Sequence, residues 1–136
     1  MMLSEDPAFI GASWETYSAT KAFTLSSGDG EKTVYVKYRD AFETESSAYS
    51  DTITLDTTGP IGAISINGGA LLANSKNTVL TISATDTLSP VTQMMLSESA
   101  TFDSASWEAY ATSKAFTLSS SNGTKTVYAK YKDAAG

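Results

Sequence analysis

Residues 79–84 read VLTISA, with Leu80, Ile82 and Ala84 on one side of an extended chain and Thr81 and Ser83 on the other. A period of two is what a half-buried strand requires. Upstream, Ala63–Asn67 alternates in the same way with Ile64 and Ile66 sharing a face, before Asn67–Gly69 turns the chain. Downstream, Val91–Leu96 predicts a third strand with Met94 and Leu96 toward the core. Glu98–Ser113 is looser and carries Trp107 and Tyr110. Lys114–Leu118 places Phe116 and Leu118 together, and Ser121-Asn122-Gly123-Thr124 reads as a tight turn joining it to Lys125–Lys132. Asn-Gly accepts the positive φ that two-residue hairpin loops need. In that last strand Val127, Ala129 and Tyr131 point inward, Tyr128 and Lys130 outward. No segment sustains a 3.6-residue period, so the chain is all-β.

The strands recur. MMLSE stands at Met1–Glu5 and again at Met94–Glu98, KAFTLSS at Lys21–Ser27 and Lys114–Ser120, KTVY at Lys32–Tyr35 and Lys125–Tyr128. The offset is 93 throughout, and 27 of the 43 pairs that match residues 1–43 to 94–136 are identical without a gap. Such a period is the mark of a tandem duplication. The first copy repeats the inward set with Val34, Val36 and Tyr38, turns at Gly28-Asp29-Gly30, and adds Tyr49–Leu55, with Ile53 and Leu55 inward and Thr52 and Thr54 outward. The chain therefore reads as a window on a longer array, out of phase with its domain boundaries. Residues 1–57 are the C-terminal part of one domain, strands C to G. Residues 58–136 are the N-terminal part of the next, strands A to F, lacking its last strand.

Composition narrows the chemistry. The chain has no His and no Cys, which removes disulfides, thiol chemistry, His-based acid–base catalysis and the commonest zinc sites. With Asp+Glu 15 against Lys+Arg 9 and Arg39 as the single arginine, it lacks the clustered positive charge that nucleic acid requires. Apolar runs are far shorter than the ~20 residues of a membrane helix.

DTITLDTTGP (Asp51–Pro60), the ISINGG and TVLTISATD strings within Ile64–Asp86, and GDGEKTVYVKYRD (Gly28–Asp40) resemble bacterial and archaeal tandem immunoglobulin-like repeats. The resemblance covers essentially the whole chain. It implies two-sheet antiparallel sandwiches of about 100 residues, an extracellular or cell-surface location, and neighbouring repeats or identical subunits as partners. Asp40-Ala41-Phe42-Glu43 departs from the Ala-Gly-Asn type loop of such repeats, which Asp133-Ala134-Ala135-Gly136 keeps in part.

Several residues are candidates for a site, each beside a plainer role. Asp56, Asp86 and Asp133 fall at a linker and at the ends of strands B and F, where an immunoglobulin-type sandwich places them at one end; three carboxylates there suit calcium, a hard cation that takes oxygen ligands, or else bond local backbone N–H groups. Trp14, Tyr17, Trp107 and Tyr110 offer a platform for stacking sugar rings, with packing in or at the edge of the core as the favoured reading. Tyr35, Lys37, Tyr128 and Lys130 face outward on strand F, toward a neighbour or solvent. Glu5, Glu15, Glu98 and Glu108 are the carboxylates available to a glycosidase pair, and solvated strand-edge charge explains them better. Asn122-Gly123-Thr124 fits an N-glycosylation acceptor as well as a turn.

The expectation is a non-catalytic structural segment of an extracellular repeat protein: an adhesin stalk, a surface-layer or cell-wall spacer, or a filament body. Its missing strands would come from flanking sequence or a neighbouring subunit. The alternative is a carbohydrate-binding accessory module of a secreted polysaccharide-acting enzyme. No cofactor is expected apart from calcium.

Overall fold

The computed structural model describes residues 1–136. It is all-β, with three antiparallel sheets and one 3₁₀ turn at Asn67–Gly69. No helix is long and apolar enough to cross a membrane. The chain divides into two compact units, Met1–Thr57 and Thr58–Gly136.

The first unit is a single sheet of β1 (Met2–Ser4), β2 (Gly30–Lys37) and β3 (Tyr49–Leu55) in the order β1-β2-β3. β3 runs antiparallel to β2 over seven pairs, from Gly30↔Leu55 to Val36↔Tyr49. Pairing sets the faces: Leu3, Val34, Val36, Tyr49 and Ile53 share one side. That side stays open, with Tyr49 and Ile53 each 59% exposed. The long segment between β1 and β2 carries Phe9, which is buried with its ring edge-on to Tyr35, centroids 6.5 Å apart.

The second unit has two three-stranded sheets. One is β4 (Ile61–Ile66), β5 (Asn77–Thr85) and β8 (Ser113–Thr117), ordered β4-β5-β8. The other is β6 (Val91–Ser97), β7 (Glu108–Ala109) and β9 (Tyr128–Asp133), ordered β7-β6-β9. Leu80 and Ile82 from one sheet and Met94 from the other are buried together, packed round by Ile64, Ile66, Leu96, Phe116, Val127 and Tyr131. The alternating residues of VLTISA are thus the centre of the core, where each buried aliphatic side chain contributes about 1.5–3 kcal/mol of transfer free energy. Gly62 permits the closest approach: a Cβ there would lie 2.5 Å from Tyr131 Cε2 and 2.5 Å from the Ser83 carbonyl oxygen.

The two units build the shared part of the sheet in the same register. Met2↔Lys37, Leu3↔Val36 and Ser4↔Tyr35 in the first correspond, 93 residues on, to Met95↔Lys130, Leu96↔Ala129 and Ser97↔Tyr128 in the second.

Three expectations need correction. The Ser121–Thr124 turn does not close a hairpin, because β8 and β9 belong to different sheets. The last strand begins at Tyr128 rather than Lys125, since no neighbouring strand ladders with residues 124–127. The first copy forms three strands rather than five: the residues matching β8, at 20–24, have no counterpart of β5 to pair with. Of the residues matching β7, at 15–16, Glu15 still pairs with Met1: its N–H donates to the Met1 carbonyl at 2.8 Å and its carbonyl accepts from the Met1 amino group at 2.7 Å.

Candidate functional site

Tyr35, Lys37 and Arg39 alternate along the chain and project opposite Val36 and Tyr38. On that outer side the Lys37 ammonium stands 5.1 Å from the Phe9 ring centroid, and the Arg39 guanidinium 4.6 Å from that of Trp14. The second unit repeats the arrangement, with Lys130 4.6 Å from Phe102 and Lys132 4.9 Å from Trp107. A cation over an aromatic face is attracted by the ring quadrupole. The loops carrying the aromatics close in the same way: Phe9 N–H donates to the Asp6 carbonyl at 2.9 Å, and Phe102 N–H to that of Ser99 at 3.0 Å. Both phenylalanines take left-handed backbone, φ 56° and 59°, a strained choice for a bulky side chain.

The four candidate platform residues therefore separate. Trp14 and Trp107 are half-buried on the outer side with a cation over one ring face. Tyr110 packs against the core of the second unit, edge-on to Tyr131, and its hydroxyl accepts the Ala84 N–H at 2.9 Å. Tyr17 pairs with Tyr38 in the same edge-on way but is 66% exposed.

The glutamates hold loops in place. Glu15 is paired with Lys21, and Glu108 with Lys114. Glu5 accepts the Ser26 N–H at 2.7 Å and its hydroxyl at 3.1 Å; Glu98 accepts the Ser119 N–H at 2.7 Å and its hydroxyl at 3.2 Å.

Among the calcium candidates, Asp86 and Asp133 both belong to the second unit, and a carboxylate oxygen of one lies within 4.8 Å of one of the other. Asp86 Oδ1 accepts the N–H groups of Leu88 and Ser89, and buried Asp133 accepts those of Ala135 and Gly136. Asp56 belongs to the first unit, directly after β3.

Two groups depart from their ordinary titration. Hydrogen bonds from Thr101 and Ser99 hold the exposed Asp103 carboxyl below the usual range. Burial, with Tyr110 nearby, raises the Tyr131 phenol.

Asn122-Gly123-Thr124 lies on an exposed turn beside a groove of about 700 Å³ lined by Ile66, Leu71, Leu72, Leu118, Ser119 and Lys125. Leu71 is 98% exposed, and the signal in the sequence was the apolar run Ala70–Ala73 inside a polar loop.

Comparison of the chain with protein-family models, with curated proteins and with solved structures finds no match.

Proposed function

We propose that this chain is a non-catalytic structural segment of an extracellular tandem immunoglobulin-like repeat protein, serving as stalk, spacer or filament body. The supporting observation is that its polar chemistry goes into building the same sheet and loops twice. Glu5 and Glu98 fasten Ser26 and Ser119, Lys37 and Lys130 cover Phe9 and Phe102, and the strand register recurs at the 93-residue offset. Side chains fixed in loop and sheet contacts suit mechanical persistence. Antibodies raised against the purified chain should label the surface of intact producing cells. Labelling confined to lysed cells would contradict the reading.

The second reading, a carbohydrate-binding accessory module, draws on Trp107, which lines a shallow groove with Gly59, Pro60, Lys130, Lys132 and Gly136. Glycan-array binding that Trp107→Ala abolishes without unfolding the chain would favour it.

A further inference from the structure

We propose that Asn122 is a self-modifying residue, whose side-chain amide condenses with the Gly123 backbone nitrogen and is converted to a carboxylate without an enzyme. This goes beyond the repeat reading and holds independently of it. The Gly123 nitrogen gives up its proton and bonds to Asn122 Cγ; the Cγ–Nδ2 bond breaks, and Nδ2 leaves with that proton as ammonia. Water then opens the five-membered imide at either carbonyl. Cleavage of the new Cγ–N bond gives aspartate, and cleavage of the original peptide bond gives isoaspartate. The net change is one water gained and one ammonia lost, and it adds a negative charge to a chain of formal net charge −6.

The chain holds two Asn-Gly pairs, Asn67-Gly68 and Asn122-Gly123, and the fold separates them. Glycine follows in both, so no side chain shields the attacking nitrogen. Both asparagines are exposed and line the same groove, which gives them equal access to water. Asn67 is held. Its Oδ1 accepts the Val79 N–H at 2.9 Å, and its backbone, at φ 48°, belongs to the 3₁₀ turn between β4 and β5. Bringing its Cγ onto the Gly68 nitrogen requires that bond to break and the turn to open. Asn122 lies in a bend between β8 and β9, strands of different sheets, so no ladder fixes the segment. The anchors of that connection fall on its neighbours: Glu98 holds Ser119, and Lys125 Nζ reaches Ser119 Oγ and Ser121 Oγ at 2.6 and 2.7 Å. The Asn122 amide has no bond equivalent to that from Val79. The first copy shows that the turn accommodates the product. Asp29-Gly30 stands 93 residues before Asn122-Gly123, and Asp29 Oδ1 accepts the Thr57 N–H and hydroxyl at 3.0 and 2.6 Å. The aspartate product therefore makes the two turns alike, whereas isoaspartate lengthens the main chain there by one carbon.

The test holds the full chain folded at mildly alkaline pH, where loss of the amide proton speeds the attack. Samples digested at intervals are read by peptide mass spectrometry and by isoaspartate-specific methylation. Asn122 should convert about fivefold or more faster than Asn67, the factor imposed by one hydrogen bond of ordinary net strength. In concentrated urea the two rates should converge, because the turn and the Val79 bond are lost. Asn122→Gln, whose longer side chain cannot close the five-membered ring, should remove the product from its peptide and leave conversion at Asn67 unchanged. No conversion at Asn122, equal rates in the folded chain, or a faster Asn67 would overturn the proposal. So would a preference for Asn122 that persists undiminished in urea, which would assign the difference to local sequence rather than to the fold.

Discussion

Tyr131 lies so close to Gly62 that a Cβ added at position 62 would sit 2.5 Å from its ring carbon Cε2. The same tyrosine donates its hydroxyl hydrogen to the Ala63 carbonyl at 3.2 Å, tying β9 to β4 at the margin of the core. Its counterpart in the first unit, Tyr38, has no β4 to meet and is exposed. Gly62→Ala should accordingly destabilise the second unit by about 1–3 kcal/mol, the usual cost of overpacking a closed site. Urea denaturation of the variant reads this directly, and the first unit should keep its own transition.

The raised titration of Tyr131 predicts a pH dependence. A group whose folded pKa lies above its unfolded value stabilises the fold fully below the unfolded value, ordinarily 10.0, and loses that contribution as pH rises through the folded one. The second unit should therefore soften above pH 10.0. Tyr131→Phe should flatten that part of the profile while losing the bond to Ala63. Melting curves across alkaline pH, wild type against variant, check both.

Glu98→Ala should cost about 1 kcal/mol, because it strips two hydrogen bonds from Ser119 at the foot of the β8–β9 connection. Glu5→Ala should cost a similar amount in the first unit, where Ser26 takes the same place. If one of the two substitutions destabilised its own unit and the other left its own unit unchanged, the correspondence between them would break.

Calcium held by Asp86 and Asp133 of the second unit would stabilise that unit by mass action. Millimolar calcium should raise the Tm, EDTA should reverse the rise, and Asp86→Asn should reduce it. A Tm identical in calcium and in EDTA would contradict that expectation.

The strands were legible where alternation alone decides them. Tyr49–Leu55 and the inward set Leu80, Ile82, Met94, Leu96 and Phe116 follow from a period of two, a local property. The hairpin at Ser121–Thr124 was not legible, because turn chemistry says how a chain bends and not which sheet receives it. The loss of strand at residues 20–24 had the same origin: a strand exists only with its partner, and the partner matching β5 is missing from the first unit. The cation–aromatic pairs on the outer side escaped notice although their signal was present. Lys37 with Arg39 and Lys130 with Lys132 alternate on one face in both copies, and a row of cations there invites aromatic cover.

The most direct test of the account is a map of cross-strand proton contacts by NMR. It predicts matching Leu3–Val36 and Leu96–Ala129 contacts in the two units, Val36–Tyr49 contacts in the first, and no strand partner on the open edge of Ala129 in the second. A map in which Leu96–Ala129 contacts are absent while Leu3–Val36 contacts persist, or in which Lys125–Ala129 already pairs with a strand on that edge, would contradict it.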